Sequence, residues 1–120
     1  MSLADRFPLD TVRRALVPPG AWRPYPTAAD RAAWDGLPDA QRAELVADGE
    51  TLLGADWPEL KATLFMEFAR NGNRSRYQKE SYDRRKMLIR LVAAECVENQ
   101  GRFVDDIVNG VWAICEASFW

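Results

Sequence analysis

Residues 75–99 read SRYQKESYDRRKMLIRLVAAECVEN, a run without glycine or proline and rich in strong helix formers. Projected at about 100° per residue, Tyr77, Ser81, Arg84, Leu88, Leu91, Val92, Glu95 and Asn99 share one face. That face mixes leucines with charge. A purely exposed face has no use for the leucines, and a purely apolar contact has no place for Arg84 and Glu95. Buried charge is costly unless matched, so each of these two residues must meet a partner or a ligand. Ile89, Ala93, Cys96 and Val97 form a second apolar flank, so the helix is expected to pack on more than one side.

The flanking sequence repeats the pattern of helix and stop. Upstream, residues 27–34 form a short helix with Thr27 as its cap, halted at Asp35-Gly36. Pro38 and Asp39 open a helix running to Leu53, which Gly54 ends. Asp56, Trp57 and Pro58 start another, with Leu60, Leu64, Phe65 and Phe68 as its apolar stripe and Asn71-Gly72 as its stop. Downstream of Gly101, a last helix opens at Arg102, with Phe103, Ile107, Val111, Ile114 and Cys115 as the core stripe. No sustained alternation of period two marks a strand, so the fold class is all-α, built of short-linked antiparallel helices. Residues 1–26 are different. Pro8, Pro18, Pro19, Pro24 and Pro26 punctuate an arm with one amphipathic stretch, residues 10–17, expected to lie on the body through Phe7, Trp22 and Tyr25. Residues 27–120 make the helical domain.

Composition bounds the chemistry. The chain has 120 residues, enough for one modest core, and a formal charge of −2 gives no electrostatic case for nucleic acid or an anionic membrane. It contains no histidine, so a histidine base, triad or metal ligand is absent, and no metal or cofactor site is predicted. Cys96 and Cys115 sit in apolar-periodic segments, as buried free thiols do. Neither a secretory signal nor an apolar run of about 20 residues is visible, which fits a cytoplasmic address. The five tryptophans belong in a core or on a surface that stacks flat ligands; Trp34 and Trp57 are assigned to the core.

Two polar groupings stand out. Asp105, Asn109, Trp112 and Glu116 recur at i, i+4, i+7 and i+11 on the last helix. Carboxylates and amides that hydrogen-bond hydroxyls, beside an aromatic that covers a pyranose face, compose a sugar-binding wall; the same spacing also describes a solvated face with one Trp folded over it. The segment Arg70-Asn71-Gly72-Asn73-Arg74-Ser75-Arg76-Tyr77 is the densest polar cluster. It reads either as a helix stop with a basic connection or, with Arg84, as arginines able to grip a carboxylate or sulfate. It lacks the Gly-Lys-Ser/Thr ending of a phosphate loop.

Taken together, Leu37-Pro38, Trp57-Pro58, the run from Phe68 to Tyr77, Arg84-Arg85, Leu91-Val92-Ala93-Ala94-Glu95, Gly101-Arg102-Phe103, Ile107-Val108-Asn109-Gly110 and Trp112-Ala113-Ile114-Cys115-Glu116 resemble the N-terminal part of the heparinase II/III-like proteins. The resemblance covers nearly everything from residue 37 onward. It implies helical hairpins forming the first part of an incomplete (α/α) toroid, continued in the whole protein by further hairpins and a β-sandwich. It further implies a polysaccharide lyase acting by β-elimination on uronic-acid sugars. There the C5 carboxylate is neutralised, a base removes the C5 proton, and an acid protonates the leaving oxygen.

The chain departs from that pattern at its end. It stops at Trp120, before the Asn, His and Tyr positions that carry the family's chemistry, and Ala117 stands where a second glutamate often follows Glu116. No catalytic residue is therefore assigned here, and a module without lyase activity of its own is expected. Candidate substrate-binding residues are Asn73, Arg74, Tyr77, Arg84, Glu95, Asn109, Trp112, Glu116 and Trp120. The expected partner is a uronic-acid-containing polysaccharide or oligosaccharide, with self-association through exposed hairpin faces. The competing expectations are a non-catalytic sugar-binding module and a helical scaffold that packs on a partner chain.

Overall fold

The computed structural model describes residues 2–117, and among them every regular element is a helix. In chain order these are α1 (Leu3–Arg6), α2 (Leu9–Ala15), α3 (Arg31–Asp35), α4 (Asp39–Glu50), α5 (Ala62–Asn71), α6 (Ser75–Glu98) and α7 (Val104–Cys115). The long reading of α6 holds to within a residue. This helix is the axis of the body: α4 and α7 pack along it, α3 meets it near its C-terminal end and α5 near its N-terminal end.

Both main pairings are antiparallel. Asp48 near the end of α4 pairs with Arg90, whereas Arg42 near its start lines a cleft with Val97. Across the other pairing, Glu95 meets the start of α7 and Arg84 its end. Leu91, Ala94 and Phe103 are fully buried, with Val46, Leu52, Trp57 and Ile107 packed around them. Burying a side chain such as Leu91 or Phe103 contributes about 1.5–3 kcal/mol. Two glycines allow the close approach. A Cβ on Gly49 would collide with Ala94 and crowd Phe103, and one on Gly110 would enter the indole of Trp57.

Several boundaries differ from the sequence reading, each for a physical reason. α3 starts at Arg31 because the Asp30 carboxylate, not Thr27, accepts from the Ala33 N–H; the Thr27 carbonyl instead accepts from the Trp34 indole at 3.0 Å. α4 ends at Glu50, and turns carry the chain to Gly54, whose φ is +66°. α5 begins at Ala62, since residues 55–61 form no regular element and bring Trp57 onto Gly110 and the Pro58 carbonyl to Arg84. Its stop is as expected, at left-handed Gly72 with φ +76°. α7 opens at Val104 rather than Arg102; Phe103, just before it, and Gly110 within it are buried, while Val111 and Cys115 are exposed. On α6, Ile89 also faces outward.

The arm is corrected most. Residues 2–30 are all exposed, including Phe7, Trp22 and Tyr25, so these aromatics do not anchor it to the body. α2 matches the amphipathic stretch, and the short α1 is closed by a capping box between Ser2 and Asp5. The radius of gyration is 20.0 Å, against about 14 Å for a compact domain of this length.

Candidate functional site

The charged residues of α6 meet helix ends. Arg84 donates from Nε to the Pro58 carbonyl and from Nη1 to the Ala113 carbonyl, both at 2.6 Å. Ala113 lies in the last turn of α7, where carbonyls lack intrahelical partners and a cation suits the negative end of the dipole. Glu95 does the converse at the other end. Its two oxygens accept from the N–H groups of Gly101, at 2.7 Å, and Phe103, at 3.2 Å, which holds the turn into the positive end of α7. Asn99 and Gly101 in this turn have φ of +57° and +80°.

Other arginines do related work that sequence reading did not assign. Arg31 donates to the carbonyls of Cys96, at 2.6 Å, and Val97, at 3.0 Å, and closes the C-terminus of α6. Arg90 grips both the carboxylate and the carbonyl of Asp48 and the hydroxyl of Thr51, tying the end of α4 to α6. Arg102 bridges Glu50 and Glu98 and lies 4.6 Å from the centroid of the Phe103 ring. Its hydrogen bonds to the carboxylates of Glu98 and Glu50 push its pKa upward. Arg31 and Arg102 stand beside helix starts and Arg90 lies inside α6, and none of these positions in the sequence announces the distant carbonyl or carboxylate that it meets.

The remaining candidates divide clearly. Asn73 Oδ1 accepts from the Arg76 N–H at 3.3 Å and so caps the start of α6. Arg74 is exposed and reaches the side-chain oxygen of Gln78 at 3.4 Å. Tyr77 is buried, with its ring 5.3 Å edge-on from Phe65 and 6.2 Å from Phe68. Asn109, Trp112 and Glu116 stand exposed in a row on α7 with Asp105, and Trp112 keeps 66% of its surface open to solvent. Trp120 lies outside the described residues.

The structure therefore brings Arg84, Glu95 and Tyr77 into the framework and leaves Asn109, Trp112 and Glu116 as one accessible set. Arg74 belongs to the same end of the body as Glu116, because Arg84 fixes the end of α7 against the N-terminal half of α6. Next to Arg74, the Arg76 guanidinium pairs with Glu67 at 2.7 Å, and the second oxygen of Glu67 is buried without a hydrogen-bond partner. A cleft of about 310 Å³ between α4 and the end of α6 is lined by Arg42, Val46, Val97 and Glu98, none of them a sequence-predicted site residue.

Among the described residues, no group of three or more His, Cys, Asp or Glu side chains is arranged to hold a metal ion, and no helix is long and apolar enough to cross a membrane. Neither cysteine is in a disulfide. Cys96 is half-buried and its thiol pKa is pushed up by that burial, whereas Cys115 is exposed, contrary to the expectation that both are buried. Compared with known proteins, the chain matches no family profile and no curated protein.

Proposed function

We propose that this chain is an N-terminal helical section of a heparinase II/III-like polysaccharide lyase, the first hairpins of an incomplete (α/α) toroid. In this reading it contributes one wall of a cleft for a uronate-containing carbohydrate, and the catalytic groups lie beyond it. The observation that carries the reading is the exposed row of Asn109, Trp112 and Glu116 on α7. An open indole offers a flat apolar surface to a pyranose ring, and the amide and carboxylate beside it pair with hydroxyls. Arg74 supplies the cation for a uronate carboxylate. The antiparallel arrangement of α4, α6 and α7 also supports a hairpin layer of the kind a toroid repeats.

The experiment is calorimetric titration of the chain with heparin and alginate oligosaccharides, alongside a lyase assay at the ultraviolet band of unsaturated uronate. Expected are binding that Trp112→Ala and Glu116→Ala abolish without lowering the melting temperature, and no rise in absorbance. Binding unchanged in both variants, or none by the parent chain, overturns the sugar wall; a clear rise in absorbance overturns the view that catalysis lies elsewhere. A second reading, a helical module that binds a protein surface, is favoured by the exposed valines beside this row on α7.

A further inference from the structure

Val104, Val108 and Val111 are exposed on α7, and with Cys115 they follow a spacing of four, three and four residues. This is the seam spacing of one helix against another. The stripe lies between the buried side of α7 and the polar row, and among the described residues no helix covers it. A second uncovered apolar stripe lies on the arm: Leu9, Val12 and Leu16 share one side of α2 and all are exposed. Their charges are opposite. Residues 2–26 carry Arg6, Arg13, Arg14 and Arg23 against Asp5 and Asp10, whereas α7 with Glu116 carries Asp105, Asp106 and Glu116 and no cation. Arg13 flanks the stripe of α2 and has only a loose 3.9 Å contact with Asp10; Asp105 flanks the stripe of α7.

We infer that α2 of one copy docks on the valine stripe of α7 in a second copy, and that the exchange is mutual. The prolines decide between a second copy and the same chain. Pro18, Pro19, Pro24 and Pro26 restrict the connection to α3, which folds into turns of its own at residues 18–21 and 27–30, and among the described residues α2 is exposed and is not paired with α4, α6 or α7 of its own chain. Pairing of α7 with α7 is disfavoured because both helices are acidic along the seam. Reciprocal exchange makes a closed two-fold dimer with two equal contacts, burying on the order of 1,500 Å² in total, the size of a standard interface. The inference is independent of the carbohydrate reading, since the valine stripe and the row of Asn109, Trp112 and Glu116 are different sides of α7.

Sedimentation equilibrium over a concentration series tests it with three proteins: the full chain, a variant lacking residues 1–26, and Val108→Glu. The full chain is expected at twice its monomer mass of 13.6 kDa and each variant at its own monomer mass. Because the arm is exposed and Val108 is 57% exposed, both variants keep the helical body, as far-ultraviolet circular dichroism checks; Val104→Glu replaces Val108→Glu if that variant loses helix. Mixing the armless variant, which keeps its stripe, with the valine variant, which keeps its arm, is expected to give a one-to-one complex. A monomeric full chain, a dimeric armless variant, or a mixture that stays monomeric overturns the exchange.

Discussion

Arg84, at the middle of α6, donates to the carbonyl of Ala113 at 2.6 Å and closes the last turn of α7 from a neighbouring helix. The same guanidinium holds the Pro58 carbonyl, so one side chain joins the segment before α5, the central helix and the end of α7. Replacing it with methionine keeps the stem and leaves two carbonyls without their donor. Arg84→Met is expected to destabilise the chain by about 2–3 kcal/mol in urea unfolding. Arg84→Lys is expected to recover only part of the loss, because one ammonium cannot reproduce the two-directional fork. Full stability in Arg84→Met would show that the bonds contribute nothing to the fold.

Gly110→Ala places a methyl group inside the space occupied by the Trp57 ring. Helix propensity favours alanine by about 1 kcal/mol, but overpacking against a ring costs about 1–3 kcal/mol and reverses the sign. The expected result is net destabilisation with a shifted Trp57 fluorescence maximum. Gly110→Ala combined with Trp57→Leu is expected to lose less than the sum of the two single changes.

The cap at the start of α6 is a smaller effect. Asn73→Ala is expected to lower stability by about 1 kcal/mol, whereas Asn73→Asp, which keeps an acceptor at the positive end of the helix, is expected to be neutral or better. Equal loss in the two variants would contradict a capping role.

The two thiols should separate by reaction with a disulfide reagent. Cys115 is exposed and is expected to react first; Cys96 is half-buried. Burial raises the Cys96 pKa, so less thiolate is present at mildly alkaline pH than in an ordinary thiol, and its rate should keep rising into a more alkaline range. Rate measurements on Cys115→Ser and Cys96→Ser against pH assign the two phases. A Cys96 that reacts as fast as Cys115 is inconsistent with its placement under Arg31.

The axis of the fold was legible in residues 75–99 because an uninterrupted helical period needs no distant information. The demand that Arg84 and Glu95 find partners was legible too, but the partners were backbone groups 29 and eight residues away, which no periodicity announces. The start of α5 differs from the local reading because Pro58 suits the first turn of a helix, whereas Trp57 against Gly110 and Arg84 on the Pro58 carbonyl hold that segment out of the helix. On α7, counting apolar residues selected Val111 and Cys115, whereas the buried position is Gly110, whose lack of a side chain makes room for an indole. The arm's aromatics resembled anchors, and their exposure shows that aromatic content alone does not supply a docking surface.

The central claim is that the polar groups of α6 close helix ends and that recognition belongs to the outward row of α7. Amide and indole chemical shifts recorded during titration with an alginate or heparin tetrasaccharide test it most directly. The account predicts perturbations at Asn109, at the Trp112 indole N–H and at Glu116, with the Gly101 and Phe103 amides held by Glu95 unmoved. Shifts centred on Gly101 and Phe103, or a row on α7 that stays silent while sugar binds, would contradict it.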